Sequence, residues 1–140
     1  MKITDLMVGD WFKAVDYNSP FMITAIYDDV VQTQADYQSE IDGNWYSEAE
    51  IKDLVPIPLT DEILVKNGFV YREEEETCAT NAFHHWQLDG HSFALNSTQY
   101  FRKEKKDDMP RFDVAGIAIH YVHQLQHLLR LCGIEKEIEL

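Results

Sequence analysis

Three features of the chain predict an α+β fold that begins with a small β-barrel. Residues 1–56 break into alternating apolar segments separated by frequent turn signals, a pattern of short antiparallel strands. Asp89-Gly90 lies between two apolar runs, a strong hairpin signal. Tyr121–Cys132 carries apolar residues at helical spacing. Charge and pattern change at Pro56-Ile57-Pro58, so the expected division is a barrel over 1–56 and a sheet–helix module over 57–140. The 140 residues, 45% apolar and 26% charged, suffice for one ordinary domain or two very small ones.

In the first module, Val8-Gly9-Asp10 reads as a turn into a strand at Trp11–Val15. Asn18-Ser19-Pro20 reads as a second turn. Phe21–Tyr27 then alternates, with Phe21, Ile23, Ala25 and Tyr27 on one face. Asp28-Asp29 reverses the chain into Val30–Gln34, and Gly43-Asn44 separates Glu40-Ile41 from Trp45-Tyr46. Ser47-Glu48-Ala49-Glu50 has capping-box spacing, which predicts one helical turn before a last strand at Leu54–Ile57. Short strands with a helical turn before the fifth resemble an SH3-like barrel, and Leu6-Met7-Val8-Gly9-Asp10-Trp11 looks like the opening of one. Such barrels host many activities, so this likeness concerns fold alone.

The second module opens with a short helix. Thr60 is its N-cap, Asp61 and Glu62 suit the positive end of the helix dipole, and Gly68 is the left-handed stop. Leu59 and Leu64 stand as a hydrophobic staple. A strand starts at Phe69. The hairpin around Asp89-Gly90 is expected to pair Leu88 with His91, Trp86 with Phe93 and His84 with Leu95. Further strands are expected at Tyr100–Arg102, Phe112–Ile119 and Ile134–Leu140, with a solvated loop over Lys103–Asp108. On the helix at Tyr121–Cys132, Tyr121, Val122, Leu125, Leu128, Leu129 and Cys132 form the apolar face. His120, His123, His127 and Arg130 lie opposite, and Gly133 caps the helix.

Acidic residues outnumber basic ones 25 to 12, a formal charge of −13. A general nucleic-acid binder or a protein seated on an anionic membrane would be repelled by its partner at that charge. No apolar run approaches the roughly 20 residues of a membrane span. The opening Met1-Lys2-Ile3-Thr4-Asp5 has no apolar signal region, and Cys78 and Cys132 are too few for a disulfide scaffold. The expectation is a cytoplasmic protein.

Two surfaces carry candidate chemistry. Tyr17, Tyr37, Trp45 and Tyr46 lie at or near turns of a module with eleven acidic groups, which suits a cationic or basic-peptide ligand. The same rings would also serve simply to fill a small barrel. Arg102, Lys103, Lys105, Lys106 and Arg111 form the one concentrated basic patch. With His120, His123, His127 and Arg130 they would suit a small anion, such as a nucleotide buried in an oligomer.

Reactive groups are less promising. His123-Gln124-Leu125-Gln126-His127 is one residue away from the zinc-protease pattern, but Gln124 stands where the glutamate base belongs. A glutamine cannot take a proton from zinc-bound water near neutral pH. A structural metal held by His120, His123 and His127 is the remaining metal reading, against a plain polar helix face. His84, His85, Asp89 and His91 fall on different faces or too far apart along the hairpin to share an ion. Neither cysteine has a partner that would activate it. No phosphate-cradling glycine loop or nucleophile elbow occurs. No cofactor and no catalysis are expected.

Val8-Gly9-Asp10-Trp11, Pro56-Ile57-Pro58-Leu59-Thr60 with Lys66-Asn67-Gly68-Phe69, and Tyr121-Val122-His123-Gln124-Leu125-Gln126 resemble a group of small uncharacterised proteins of Bacteroides-type gut bacteria and their phages. The likeness covers both ends and the junction. It implies origin in a bacterial genome, prophage or phage, and it transfers no site residues. The expected role is a non-catalytic binding protein that acts on a host or self protein, such as a defence component, through its acidic aromatic surface. A small-anion sponge and a DNA mimic are the alternatives.

Overall fold

The structure, a computed structural model, describes residues 5–75, 82–91, 93–97, 112–114 and 117–140. It is α+β. Two antiparallel five-stranded sheets account for most of the regular structure, with one short helix and one longer C-terminal helix.

The first sheet comprises β1 (Trp11–Ala14), β2 (Tyr17–Tyr27), β3 (Val30–Gln38), β4 (Trp45–Glu50) and β5 (Leu54–Pro56). Its order is β4-β3-β2-β1-β5, an open meander whose last strand returns to pair with the first. Strands β4 and β5 are its two edges. Alternation sets the core: Phe12, Ala14, Phe21, Ile23, Val31, Ala49, Ile51 and Leu54 are buried together with Leu6. Asp28 takes a positive φ of 35° in the reversal between β2 and β3, a conformation that aspartate tolerates better than most residues.

Two local expectations are corrected here. Asn18-Ser19-Pro20 is not a turn but part of β2. It stands where the β1–β2 register shifts between Phe12 and Ala14, and such an irregularity accommodates a proline that has no N–H to give the ladder. Ser47–Glu50 is not a helical turn but strand β4, in which Glu48 and Ala49 pair with Gln32 and Val31. The helical turn comes one step later, at Ile51–Asp53. Ladder bonds to β3 outcompete the local cap.

The second sheet has the order β10-β9-β8-β7-β6, built from β6 (Phe69–Glu75), β7 (Ala82–Leu88), β8 (Ala94–Ser97), β9 (Phe112–Val114) and β10 (Ile117–Ile119). Before it stands helix α1 (Asp61–Lys66), where Thr60 Oγ1 accepts from the Ile63 N–H at 3.3 Å and Gly68 has φ +83°. The Asp89-Gly90 hairpin forms with its register moved by two residues, so Trp86 pairs with Leu95 rather than Phe93. A two-residue shift preserves the face, and Trp86, Leu88, Phe93 and Leu95 are all buried. The strand expected over Phe112–Ile119 is instead the hairpin β9–β10.

No strand forms over Ile134–Leu140. Asn67 takes the place of a strand partner there: its Nδ2 donates to the Glu139 carbonyl at 2.8 Å and its Oδ1 accepts from the Glu139 N–H at 2.7 Å. The strand expected at Tyr100–Arg102 and the loop at Lys103–Asp108 lie outside the described residues.

The chain forms two compact units, Met1–Ile57 with Tyr121–Glu137 and Pro58–His120 with Ile138–Leu140. The C-terminal helix, α2 (Val122–Leu131), therefore belongs with the first sheet and not with the sheet that precedes it in sequence, unlike the expected division at residue 57. Among the described residues no helix is long and apolar enough to cross a membrane.

Candidate functional site

Within the unit of the first sheet, carboxylates occur in two settings. The first is the seam between the Val8-Gly9-Asp10 turn and α2. The turn is tied to β2 by Gly9 N–H to the Ile23 carbonyl (2.7 Å) and Ile23 N–H to the Asp10 carbonyl (2.9 Å). This places the Asp10 carboxylate in the interior, fully buried. Its Oδ2 accepts from the Met7 N–H at 2.8 Å and from His127 Nε2 at 2.7 Å, and its Oδ1 accepts from Arg130 at 3.4 Å. A carboxylate oxygen accepts, so this contact is a hydrogen bond when His127 carries a proton on Nε2. Gln126 bridges the same turn, donating to the Gly9 carbonyl (2.9 Å) and accepting from the Trp11 N–H (3.2 Å).

The helix face expected to be solvated is thus a docking face. His123 is 7% exposed, with its ring 4.8 Å from that of Phe12 and 5.7 Å from that of His127. Its Nδ1 is buried without a hydrogen-bond partner among the described residues. Burial holds its pKa below the ordinary value, against the pull of Asp10. The buried arc of α2 runs from Leu125 and Leu129 through Val122 to Gln126 and His123. Cys132, expected on the apolar face, is exposed. Gln124 accepts from the Tyr121 N–H at 3.1 Å, so it caps the helix from its third position.

A groove of about 690 Å³ beside this seam is lined by Asp5, Leu54, Pro56, Tyr121, His123, Gln124 and His127. Among the described residues no group of three His, Cys, Asp or Glu side chains is placed to hold a metal ion.

The second setting is a groove of about 360 Å³ lined by Asp16, Val30, Tyr37, Tyr46, Glu48, Ala49, Glu50 and Asp53. Its aromatic wall is a stack. Tyr37 lies 5.0 Å from Tyr17, 5.8 Å from Phe21 and 5.9 Å from Tyr46, ring centre to ring centre. The Tyr37 hydroxyl donates to the Glu48 carbonyl at 3.3 Å, and that of Tyr46 donates to Asp42. Burial first, and then the negative field of Asp16 with Tyr46, Asp53 and Asp42, push the Tyr37 phenol up to about 12. The field at the groove is therefore negative, and no Lys, Arg or His lines it.

Sequence-predicted residues divide between these places. Tyr17, Tyr37 and Tyr46 are brought together, but Tyr37 is buried and belongs to the core, contrary to its expected exposure. Trp45 is apart from them, 68% exposed on the other face of β4 from Tyr46. Arg130 is not free for a ligand because it bonds Asp10. Arg102, Lys103, Lys105, Lys106 and Arg111 lie outside the described residues.

No family model, curated protein or solved structure matches the chain. The groove must therefore be read from its own chemistry. Sequence reasoning missed Asp10, Gln126, Asp16, Glu48, Glu50 and Asp53. Asp10 carried a usable signal: one charge inside the run Leu6–Phe12, otherwise without charge, requires partners if that run is buried. The groove carboxylates carried less: Glu48, Glu50 and Asp53 are close in sequence, but nothing local brings Asp16 to them.

Proposed function

We propose that the protein is a non-catalytic binding module that captures a cationic segment of a host or self protein in the groove beside β4. One observation carries this reading: Asp16, Glu48, Glu50 and Asp53 line one groove with two tyrosine rings and no basic side chain. Lysine or arginine there would meet opposite charge on several sides and an aromatic face. Glu50 is bonded to Lys52 at 2.9 Å, but that pair is solvent-exposed, and exposed pairs are weak enough to be displaced. The family resemblance points to a bacterial protein as the partner.

Calorimetric titration with lysine-rich and glutamate-rich peptides tests the reading. The basic peptide is expected to bind, and to weaken as salt rises. Glu48→Gln combined with Asp53→Asn is expected to cost about tenfold in affinity. Equal binding of both peptides, or full binding by the double variant, would sink it. The small-anion alternative is the weaker one, since His127 and Arg130 both serve Asp10.

A further inference from the structure

The shape of the groove says how such a segment would sit. Glu48, Ala49 and Glu50 are consecutive residues of β4, in regular register with Gln32, Val31 and Val30. Successive side chains of a strand point to opposite faces. A groove that touches all three reaches the strand's side and is not confined to one face of the sheet, with Val30 and Tyr37 of β3 also lining it. That side is open: β4 ends the sheet order, and among the described residues it pairs only with β3. Every second residue of β4 thus turns its N–H and C=O outward; the Glu48 carbonyl already accepts from the Tyr37 hydroxyl, and the other outward groups are a template for another strand.

We propose that the partner binds by strand addition, as an extended segment that pairs with the free edge of β4 and carries lysine or arginine at alternate positions. This rests on the groove reading and specifies its geometry. Glu48 and Glu50 are two residues apart and share a face, so the residues opposite them on an added strand are also two apart. Cations at those two positions meet both carboxylates, with Asp16 and Asp53 lining the same groove. An edge strand that bears such charges also resists pairing with a second copy of itself, because carboxylates would face carboxylates. The open edge is thereby reserved for a basic partner. The charge supplies selectivity and the backbone ladder supplies affinity.

Backbone methylation separates the two layers of the argument. The probe is a synthetic octapeptide of alternating lysine and threonine, titrated calorimetrically into the full-length protein at low salt. Two further peptides carry N-methyl groups on alternate amides, one set in each parity. An added strand bonds its neighbour through every second amide, so one methylated peptide should lose about tenfold or more in affinity while the other stays close to the parent. If both methylated peptides bind like the parent, or both fail alike, strand addition is wrong while the groove reading stands. If the parent peptide itself does not bind, both fall together. A parent peptide that binds Glu48→Gln/Glu50→Gln as tightly as the natural protein would place the contact elsewhere and also overturn the proposal.

Discussion

Asp10 and the carboxylates beside β4 belong to the same unit, and the contrast between them separates architecture from function. Asp10 is fully buried and is bonded by a backbone N–H, an imidazole and a guanidinium. Nothing is left over for a ligand. Asp16, Glu48, Glu50 and Asp53 line a groove open to solvent that holds no cation of its own. Glu50 has only the exposed Lys52 as a partner, and like charges gathered with so little compensation oppose folding, so such a group is better explained by what it meets than by what it supports. The same side-chain chemistry thus holds a helix to a turn at one place and leaves an unanswered field at the other.

Four measurements would sharpen this contrast or break it. The largest effect is expected from Asp10→Ala, which strands His127 and Arg130 and frees the Met7 N–H. Urea unfolding should show a loss of about 3 kcal/mol, and a loss below about 1 kcal/mol would mean that Asp10 is no more structural than an ordinary surface group. Next comes Gln126→Leu, which leaves the Gly9 carbonyl and the Trp11 N–H without their side-chain partner. About 2 kcal/mol is expected by the same assay.

A smaller effect concerns His123 and acid. Burial lowers its pKa from 6.5 in the folded protein, so the unfolded chain takes up the proton first. The stability that depends on its neutral ring is therefore intact above pH 6.5 and is lost as pH falls from there toward the folded value. His123→Phe, which keeps a ring against Phe12, should flatten that part of the acid dependence of the melting temperature. Parallel curves for the two proteins would show that the imidazole carries none of it. The smallest effect is reserved for the groove: Glu48→Gln with Asp53→Asn should change stability by no more than about 0.5 kcal/mol. A large loss there would turn these carboxylates into structural groups and remove the contrast.

Much of the fold was legible because local rules and burial agreed. Thr60 and Gly68 bound α1 as their cap chemistry requires, and Asp28-Asp29 turns the chain between β2 and β3. Trp86, Leu88, Phe93 and Leu95 share a buried face even though the hairpin register differs from the expected one, because a shift of two residues leaves the alternation untouched. Legibility ended where two local solutions competed, as at Ser47–Glu50, and where a side chain replaced a strand, as Asn67 does at Glu139. At the site, the tyrosines were visible as residue types, while their neighbours were not.

The sequence alone determined the α+β class, the main punctuation of its strands and helices, and the strongly acidic balance, because each depends on side-chain period, cap chemistry or a sum of charges. Tertiary structure decided that the polar side of α2 faces inward onto Asp10, and that Asp16 joins Glu48, Glu50 and Asp53 in one groove. Those outcomes depend on which surfaces meet when the chain closes, and no period within a single segment encodes that.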